Sequence, residues 1–415
     1  MAWLPSRLCV TRLWLGVLMA AAVAQLSAQT PSIGSPLTYE AALALATTRN
    51  LGLEAARRQR AIREAAIRSA RQIPNPDVTF DVTRDVPHEA VTFSLPVEIG
   101  GKRGRRVDLA REALTLADVD VQAEMRAVRR DVRQSFYSLM AADEQGRIAE
   151  GALDIARRVR DAAQARFEAG AAPRLDVLQA ELGATRAETD LDVARSTRAT
   201  AQASLNGVVN LAPRQPVAVA GDLLDHTAAP AFEQALAVAL ASNVDLVRLD
   251  REIAVEQRRA DLLRAERVPT PVFSVGGVFN APGEFAAGWS GSVGIGLPIF
   301  NRNQGEIAES VATASQLTAA RDARKRTVEN DVFGTLARID ARQKQVDAYR
   351  QRLVPTASDL ETLAEESYRA GRTSVLAVFD AQRSLRDLRR ESLQAALDLQ
   401  FAIADLEELL GTSLP

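Results

Sequence analysis

Little in this sequence is equipped for covalent or metal chemistry. It has one cysteine, Cys9, and two histidines, His88 and His226. Cys9 lies ahead of an apolar N-terminal run and leaves with it on cleavage, so the mature chain has neither disulfide nor thiol chemistry. It also lies too early to be the lipid-modified cysteine of a lipoprotein, which would follow the run. The histidines are far apart in the plan of the chain, and no His-x-x-x-His or paired-cysteine spacing exists, which excludes the usual zinc ligand sets. "GSVGIG" at Gly291 to Gly296 is no phosphate loop: no helix follows it directly and no Gly-Lys-Ser/Thr is present. No catalytic constellation remains, so neither an enzyme nor a cofactor is expected.

Other shortages bound the class. Aromatic residues are 5% of the chain, low for a large globular core, so much of it should bury small side chains in long helices. After Ala28 no stretch is long and apolar enough to span a bilayer as a helix. Losing Arg7 and Arg12 takes the formal charge from -2 to -4, a near-balance that excludes a general nucleic-acid binder.

The N-terminus reads as a secretory signal over residues 1–28. Arg7 and Arg12 form the basic region, "LWLGVLMAAAVA" the apolar one, and cleavage fits after Ala24 or after Ala28. A transmembrane anchor is the other reading, but the run is shorter than the ~20 residues a spanning helix needs.

The rest is written twice. "TYEAALALATTRNLGLEAARR" from Thr38 matches "AFEQALAVALASNVDLVRLDR" from Ala231, with Asn50 against Asn243. "IPNPDVTFDV" from Ile73 matches "VPTPVFSVGG" from Val268, and "SLPVEIGGKRG" from Ser94 matches "GLPIFNRNQG" from Gly296. "ARFEAGAAPRLDVLQAE" from Ala165 matches "ESYRAGRTSVLAVFDAQ" from Glu366: aromatic, two residues, Gly, then Leu five residues on. The expected organisation is a first repeat at 29–211, a Pro- and Gly-rich linker at 212–230 and a second repeat at 231–415. Each repeat reads helix, strand, strand, very long helix, helix.

No proline occurs between Pro96 and Pro173 or between Pro298 and Pro355, and helix-forming Ala, Leu, Arg, Glu and Gln dominate there. A helix of ~60 residues would be about 90 Å long. No compact domain houses that, so antiparallel coiled coils are expected.

Four short stretches, near 77–83, 90–97, 272–278 and 288–298, break the helical period. Val78, Phe80 and Val82 alternate with Thr79 and Asp81, and Val91, Phe93 and Leu95 with Thr92 and Ser94. Phe273 and Val275 flank Ser274. Trp289, Val293, Ile295 and Leu297 alternate with serines and glycines. Period two gives one apolar face and one small polar face. Soluble hairpins packed on a core are one reading. Membrane strands, with lengths approaching ~9–11 residues and an exported chain, are the other. Membrane strands must close into a barrel, and four are too few for one chain, so several copies would share it. The segments at Arg84 to Glu89 and Asn280 to Gly288 would then be outer loops.

With these features together, the chain resembles the outer membrane efflux proteins of the TolC family over nearly all its mature length. The marks are the doubled "LPV/LPI" after a strand, the doubled glycine before a leucine-striped helix, and the asparagine after an Ala-rich helix. "SLPVEIGGKRGRR" is similar to the heavy-metal-efflux, CzcC-like branch. The resemblance implies a mainly helical fold with a small β part. It implies a homotrimer whose strands form a twelve-stranded outer-membrane barrel, continued by a periplasmic coiled-coil tunnel. It implies a passive exit duct, conducting heavy-metal cations if the CzcC-like branch holds, whose partners are a periplasmic adaptor, an inner-membrane pump of the resistance–nodulation–division type and outer-membrane lipid, with no nucleic acid. A drug-efflux or type I secretion duct, and a soluble periplasmic coiled-coil scaffold, are the alternatives.

The resemblance also places the doubled glycine segments at the periplasmic tips, as a gate. Asp380 falls where a gate carboxylate is often found, and Asp176 where a polar link between hairpins is made, with Tyr368 and Arg372 as local partners. Asp380 equally reads as a solvated helix-face charge. Gly170, Gly371, Leu175 and Leu376 would form the adaptor-contact tips. The chain departs from the family pattern at Ala377, where a second gate aspartate is usual, and Arg372 follows the glycine directly, with Thr373 in the usual arginine place. The cluster Lys102, Arg103, Arg105 and Arg106 opposes the dipole at a helix start, so helix energetics do not explain it. Contact with inner-leaflet headgroups does.

Overall fold

The computed structural model describes residues 36–224, 228–283 and 285–412. The expected signal peptide, Cys9 and His226 lie outside them. Helix α1 (Tyr39–Arg49) starts where Thr38 Oγ1 accepts the Ala41 N–H, and it stops at Asn50. There α2 (Leu51–Ala70) begins, capped by the Asn50 side chain. Strands β1 (Asp77–Val82) and β2 (Glu89–Pro96) follow, then α3 (Lys102–Glu168) and α4 (Arg174–Val208). The second half runs α5 (Phe232–Ser242), α6 (Val244–Glu266), β3 (Pro271–Ala281), β4 (Phe285–Ile295) and α7 (Gln304–Ala348). A π-helical turn (Tyr349–Leu353) leads into α8 (Val354–Arg369), and α9 (Val375–Leu410) closes the chain. Where one helix was expected before each strand pair there are two, because Asn50 and Asn243 each take extended backbone and restart the helix.

Helix α3 has 67 residues and is therefore about 100 Å long. It pairs with α4 through Ala149, Leu153 and Ala156 against Ala184, Ala187, Leu191 and Ala194. The α4 positions recur at three and four, a coiled-coil seam whose alanines let the backbones approach closely. In the second half Val328, Val332, Ile339 and Val346 of α7 bury against Leu399, Ile403 and Leu406 of α9, with Ala235 and Ala239 of α5. Helix α8 carries Pro355 near its start. The proline does not end the helix, because the preceding π turn absorbs its missing N–H and the ring's bulk.

The strands form one antiparallel sheet in the order β1-β2-β3-β4. The register places Phe80 opposite Val91, Phe93 opposite Val275 and Phe273 opposite Val293, all on one face. On the other face Thr79, Thr92, Gly276 and Ser290 form a row, as do Asp77, Ser94, Ser274 and Ser292. Ser94 Oγ and Ser274 Oγ are 2.9 Å apart within that row. The pairs β3 and β4 are longer towards their connection than the sequence suggests. Backbone pairing continues to Ala281 and Phe285, so the expected Asn280–Gly288 loop is reduced to a turn in which Asn280 has φ 58. At the other end Ile295 pairs with Pro271, the first residue of β3, so β4 stops there and Leu297 lies beyond the sheet. The apolar face is bare in the single chain: Trp289 is 83% exposed, and Val78, Phe80, Val82 and Val275 are exposed. The outer edges of β1 and β4 have no strand partner among the described residues.

Candidate functional site at the hairpin tips

The two glycine segments are the turns of the two helical hairpins, and they have one design. Gly170 and Gly371 both have φ 71, a left-handed conformation that favours glycine. The Gly170 N–H donates to Phe167 O at 3.0 Å, and the Ala171 N–H to Arg166 O at 2.8 Å. The Gly371 N–H donates to Tyr368 O at 2.9 Å, and the Arg372 N–H to Ser367 O at 2.9 Å. This paired pattern satisfies the last carbonyls of a helix and reverses the chain. It accounts for the repeated glycine, the residue that closes the turn in a left-handed conformation. Leu175 and Leu376 lie in the first turn of the returning helices, and both are exposed.

The hairpins meet side by side at these tips. Val159 and Ala163 of α3 and Ala180 of α4 bury with Tyr368, Val375 and Val378 of the second hairpin. Tyr368 is only 2% exposed. Its ring lies under the Arg166 guanidinium, 4.7 Å from centroid to Cζ, and Arg166 Nη1 donates to Tyr368 O at 3.2 Å. Tyr368 Oη is buried and has no hydrogen-bond partner among the described residues of the chain. The partner of Tyr368 within the chain is thus Arg166, a residue the sequence did not single out. Its contact spans 202 positions, and no local pattern marks it.

The other tip residues are placed differently. Asp176 is half-buried in the first turn of α4, where a carboxylate complements the helix dipole. Arg372 is exposed on the turn itself. Asp380 is exposed and lines a groove of about 370 Å³ walled by α3, α4, α8 and α9, together with Leu182, Gly183, Leu376, Phe379 and Arg383. Asp176, Tyr368, Arg372 and Asp380 are therefore near one end of the molecule but do not form one constellation within a chain. Among the described residues no group of three His, Cys, Asp or Glu is placed to hold a metal ion.

At the other end of the helices the basic cluster divides. Arg106 turns inward: it makes a two-pronged pair with Glu98 at 2.7 and 3.0 Å and donates to Ala70 O and Gln72 O. Hydrogen bonding from Arg106 holds the Glu98 carboxyl below its usual pKa range. Arg106 thus ties α2, β2 and α3 together. Arg103 and Arg105 stay exposed, and Lys102 is half-buried.

A family model described as outer membrane efflux protein matches residues 42–211 and 235–412. The cobalt-zinc-cadmium resistance protein CzcC of Cupriavidus metallidurans is 29% identical over 91% of this chain and 90% of its own length. The pyoverdine export outer membrane protein OpmQ of Pseudomonas aeruginosa is 24% identical over 89% of this chain and 83% of its own. Among solved structures, CusC, studied for the conformational changes of folding and transmembrane channel formation, superposes with a TM-score of 0.74. It is 18% identical and the match covers 90% of this chain and 92% of CusC.

Proposed function

The chain belongs to the outer membrane efflux protein family, and from that premise we propose that three copies form the passive exit duct of a tripartite efflux pump. The observation that carries the reading is the sheet. One face is apolar and bare, the other carries serine, threonine, glycine and Asp77, and neither outer edge has a strand partner among the described residues. In lipid such edges are costly unless they close on other strands. Joining β1 of one copy to β4 of the next closes twelve strands around a polar lumen, with the apolar face towards the acyl chains. The helical hairpins then extend the lumen through the periplasm, and the N-terminal signal delivers the chain there.

The tips are the gate and the docking end. Three copies of two similar hairpins make a narrowing of near-sixfold form. Leu175 and Leu376, next to Gly170 and Gly371, meet a periplasmic adaptor, which links the duct to an inner-membrane pump of the resistance–nodulation–division type. Asp380, exposed at the groove, supplies a carboxylate ring that favours cations, while Asp176 and Arg372 set the charge around it. The similarity to a cobalt-zinc-cadmium resistance protein supports divalent metal cations as cargo. The similarity to a pyoverdine exporter supports an organic cargo as the second reading.

The test is reconstitution. The purified chain should run as a trimer in detergent by native mass spectrometry and conduct ions in planar bilayers. A water-soluble monomer that leaves bilayers sealed overturns the duct. Asp380→Ala should lower the cation-to-anion permeability ratio; an unchanged ratio removes the carboxylate ring but not the duct. Cargo is separated by growth of a strain lacking the gene, on zinc, cobalt and cadmium against organic toxins.

A further inference from the structure

The turns beneath the sheet carry a surface that conduction does not use. Gly100 has φ 73, and a Cβ there would meet Val268 at 2.8 Å, so the β2–α3 turn is seated on the α6–β3 junction. Lys102 Nζ donates to Thr270 Oγ1 of that junction at 2.5 Å. The β4–α7 turn grips it as well: Arg267 Nε donates to Arg302 O at 2.7 Å, and Asn303 Nδ2 to Leu263 O at 3.2 Å. Both turns are therefore at one level, just below the strand ends.

At that level the side chains are of two kinds. Phe300 is 92% exposed and Ile299 60%, and Ile99 of the other turn is exposed too. Arg103, Arg105, Arg267 and Arg302 are exposed among them. Of the nearby acids, Glu98 is taken by Arg106, and Glu266 and Glu306 remain against the four exposed arginines. A bare phenylalanine and two isoleucines on turns that also carry exposed arginines are costly in water and suited to a boundary where acyl chains meet phosphates. The apolar residues also continue the bare face of the sheet through Leu95 and Leu297.

We infer that this belt is a binding site for anionic phospholipid, with Phe300 and Ile299 entering the acyl boundary and Arg103, Arg105 and Arg302 holding the phosphodiester headgroups. The inference rests on the barrel reading, which fixes the level of the membrane. Continuity with the lipid-facing sheet and the excess of cations favour lipid over a protein partner. The belt fixes the depth of the channel, so that the helices start where the headgroups end.

The experiment uses fluorescence quenching in vesicles. Once the signal is removed, Trp289 is the sole tryptophan. The native trimer, and a Trp289→Phe/Phe300→Trp reporter, are reconstituted in vesicles containing brominated phosphatidylcholine or brominated phosphatidylglycerol at equal mole fraction. The reporter should be quenched by both lipids, and at least twofold more by phosphatidylglycerol. Adding Arg103→Gln and Arg105→Gln should bring that ratio towards one. An unquenched reporter, or a ratio of one with the arginines intact, overturns the belt; an unquenched, blue-shifted reporter places Phe300 against a neighbouring copy instead. If Trp289 is quenched and the reporter is not, the belt alone fails. If Trp289 is also unquenched, the barrel fails with it. An Ile299→Trp reporter is read the same way if Phe300→Trp does not assemble.

Discussion

Arg133 of α3 and Glu407 of α9 form an ion pair at 2.7 Å, with side chains only 10% and 7% exposed, and it joins the first half of the chain to the second. The guanidinium lies over the rings of Tyr39 and Tyr137, with Cζ 5.4 and 5.7 Å from their centroids. Arg133 Nε donates to Gln400 Oε1 at 3.3 Å, and Gln400 Nε2 donates to Leu223 O at 2.8 Å. Burial, the largest single effect, works to lower the Arg133 pKa, but the charge and hydrogen bond of Glu407 together with Tyr39 and Tyr137 outweigh it, so the pKa is raised. Glu407→Gln or Arg133→Met should destabilise by about 3–5 kcal/mol, because each leaves a buried charge without its partner. The double variant Arg133→Met/Glu407→Gln should cost less than the sum of the two single variants. Thermal unfolding of the four proteins in one detergent measures the coupling, and additive losses would show that the pair acts only as two separate packing elements.

The same cluster sets an alkaline limit. Burial, and then the charge of Glu407, push Tyr39 up to about 12 from 10.0. A folded pKa above the unfolded one means that the native state keeps a proton the unfolded chain gives up. The stabilisation is therefore complete below pH ~10 and is lost as pH rises towards ~12. The loss is on the order of 2 kcal/mol. Tyr39→Phe should remove that component of the decline in melting temperature. A variant whose melting curve against pH parallels the native one above pH ~10 would exclude Tyr39 as its source.

What could be read from the sequence follows from the range of each interaction. The long helices, the period-two strands and the repetition of the glycine segments are local and legible in the residues, whereas the place of those segments at hairpin tips comes with the family resemblance. The Asn50–Val208 contact, the Arg166–Tyr368 stack and the Arg133–Glu407 pair join residues that only the fold brings together. Asparagine after an Ala-rich helix was visible as a repeat, but not its task. Asp176 and Asp380 illustrate the converse: their positions were legible, and the fold puts one at a helix start and the other on an open groove. The β3–β4 turn was misjudged because Asn280, Pro282 and Gly283 look like a loop, whereas Ala281 and Phe285 still pair across them.

Asn50 and Asn243 do equivalent work, so their losses should be of similar size. Asn50 Oδ1 accepts the Leu53 N–H at 3.0 Å and its Nδ2 donates to Val208 O at 3.0 Å. Asn243 Oδ1 accepts from Asp245 and Leu246, and its Nδ2 reaches Leu409 O at 3.4 Å. Each caps the second helix of its half and clamps the end of that half's last helix. Asn50→Ala should cost about 1–2 kcal/mol, and Asn50→Asp less, since it keeps the cap and loses only the clamp. Asn243→Ala should cost slightly less than Asn50→Ala, its clamp being longer. Denaturant unfolding in detergent gives the order, and an aspartate as costly as alanine would put the whole effect in the clamp.

At the tips, Tyr368 offers a test in which removing a polar atom should not hurt. Its hydroxyl is buried and has no partner among the described residues, so the native state carries the desolvation cost of that group with nothing in return. Tyr368→Phe keeps the ring beneath Arg166 and removes the cost, so stability should be unchanged or higher by up to about 1 kcal/mol. Tyr368→Ala removes the ring from between the hairpins and should cost about 3–5 kcal/mol locally. Arg166→Gln keeps most of the packing and loses the cation–π contact, worth about 0.5–2 kcal/mol. Hydrogen exchange across 366–378 should therefore slow or stay the same in Tyr368→Phe, and quicken in Arg166→Gln and more so in Tyr368→Ala. If the duct closes where these hairpins meet, bilayer conductance should rise in the same order, since each loss weakens the hold of the second hairpin on the first. Faster exchange in Tyr368→Phe than in the native chain would mean that the hydroxyl has a partner in the assembled trimer, and would make it part of the gate.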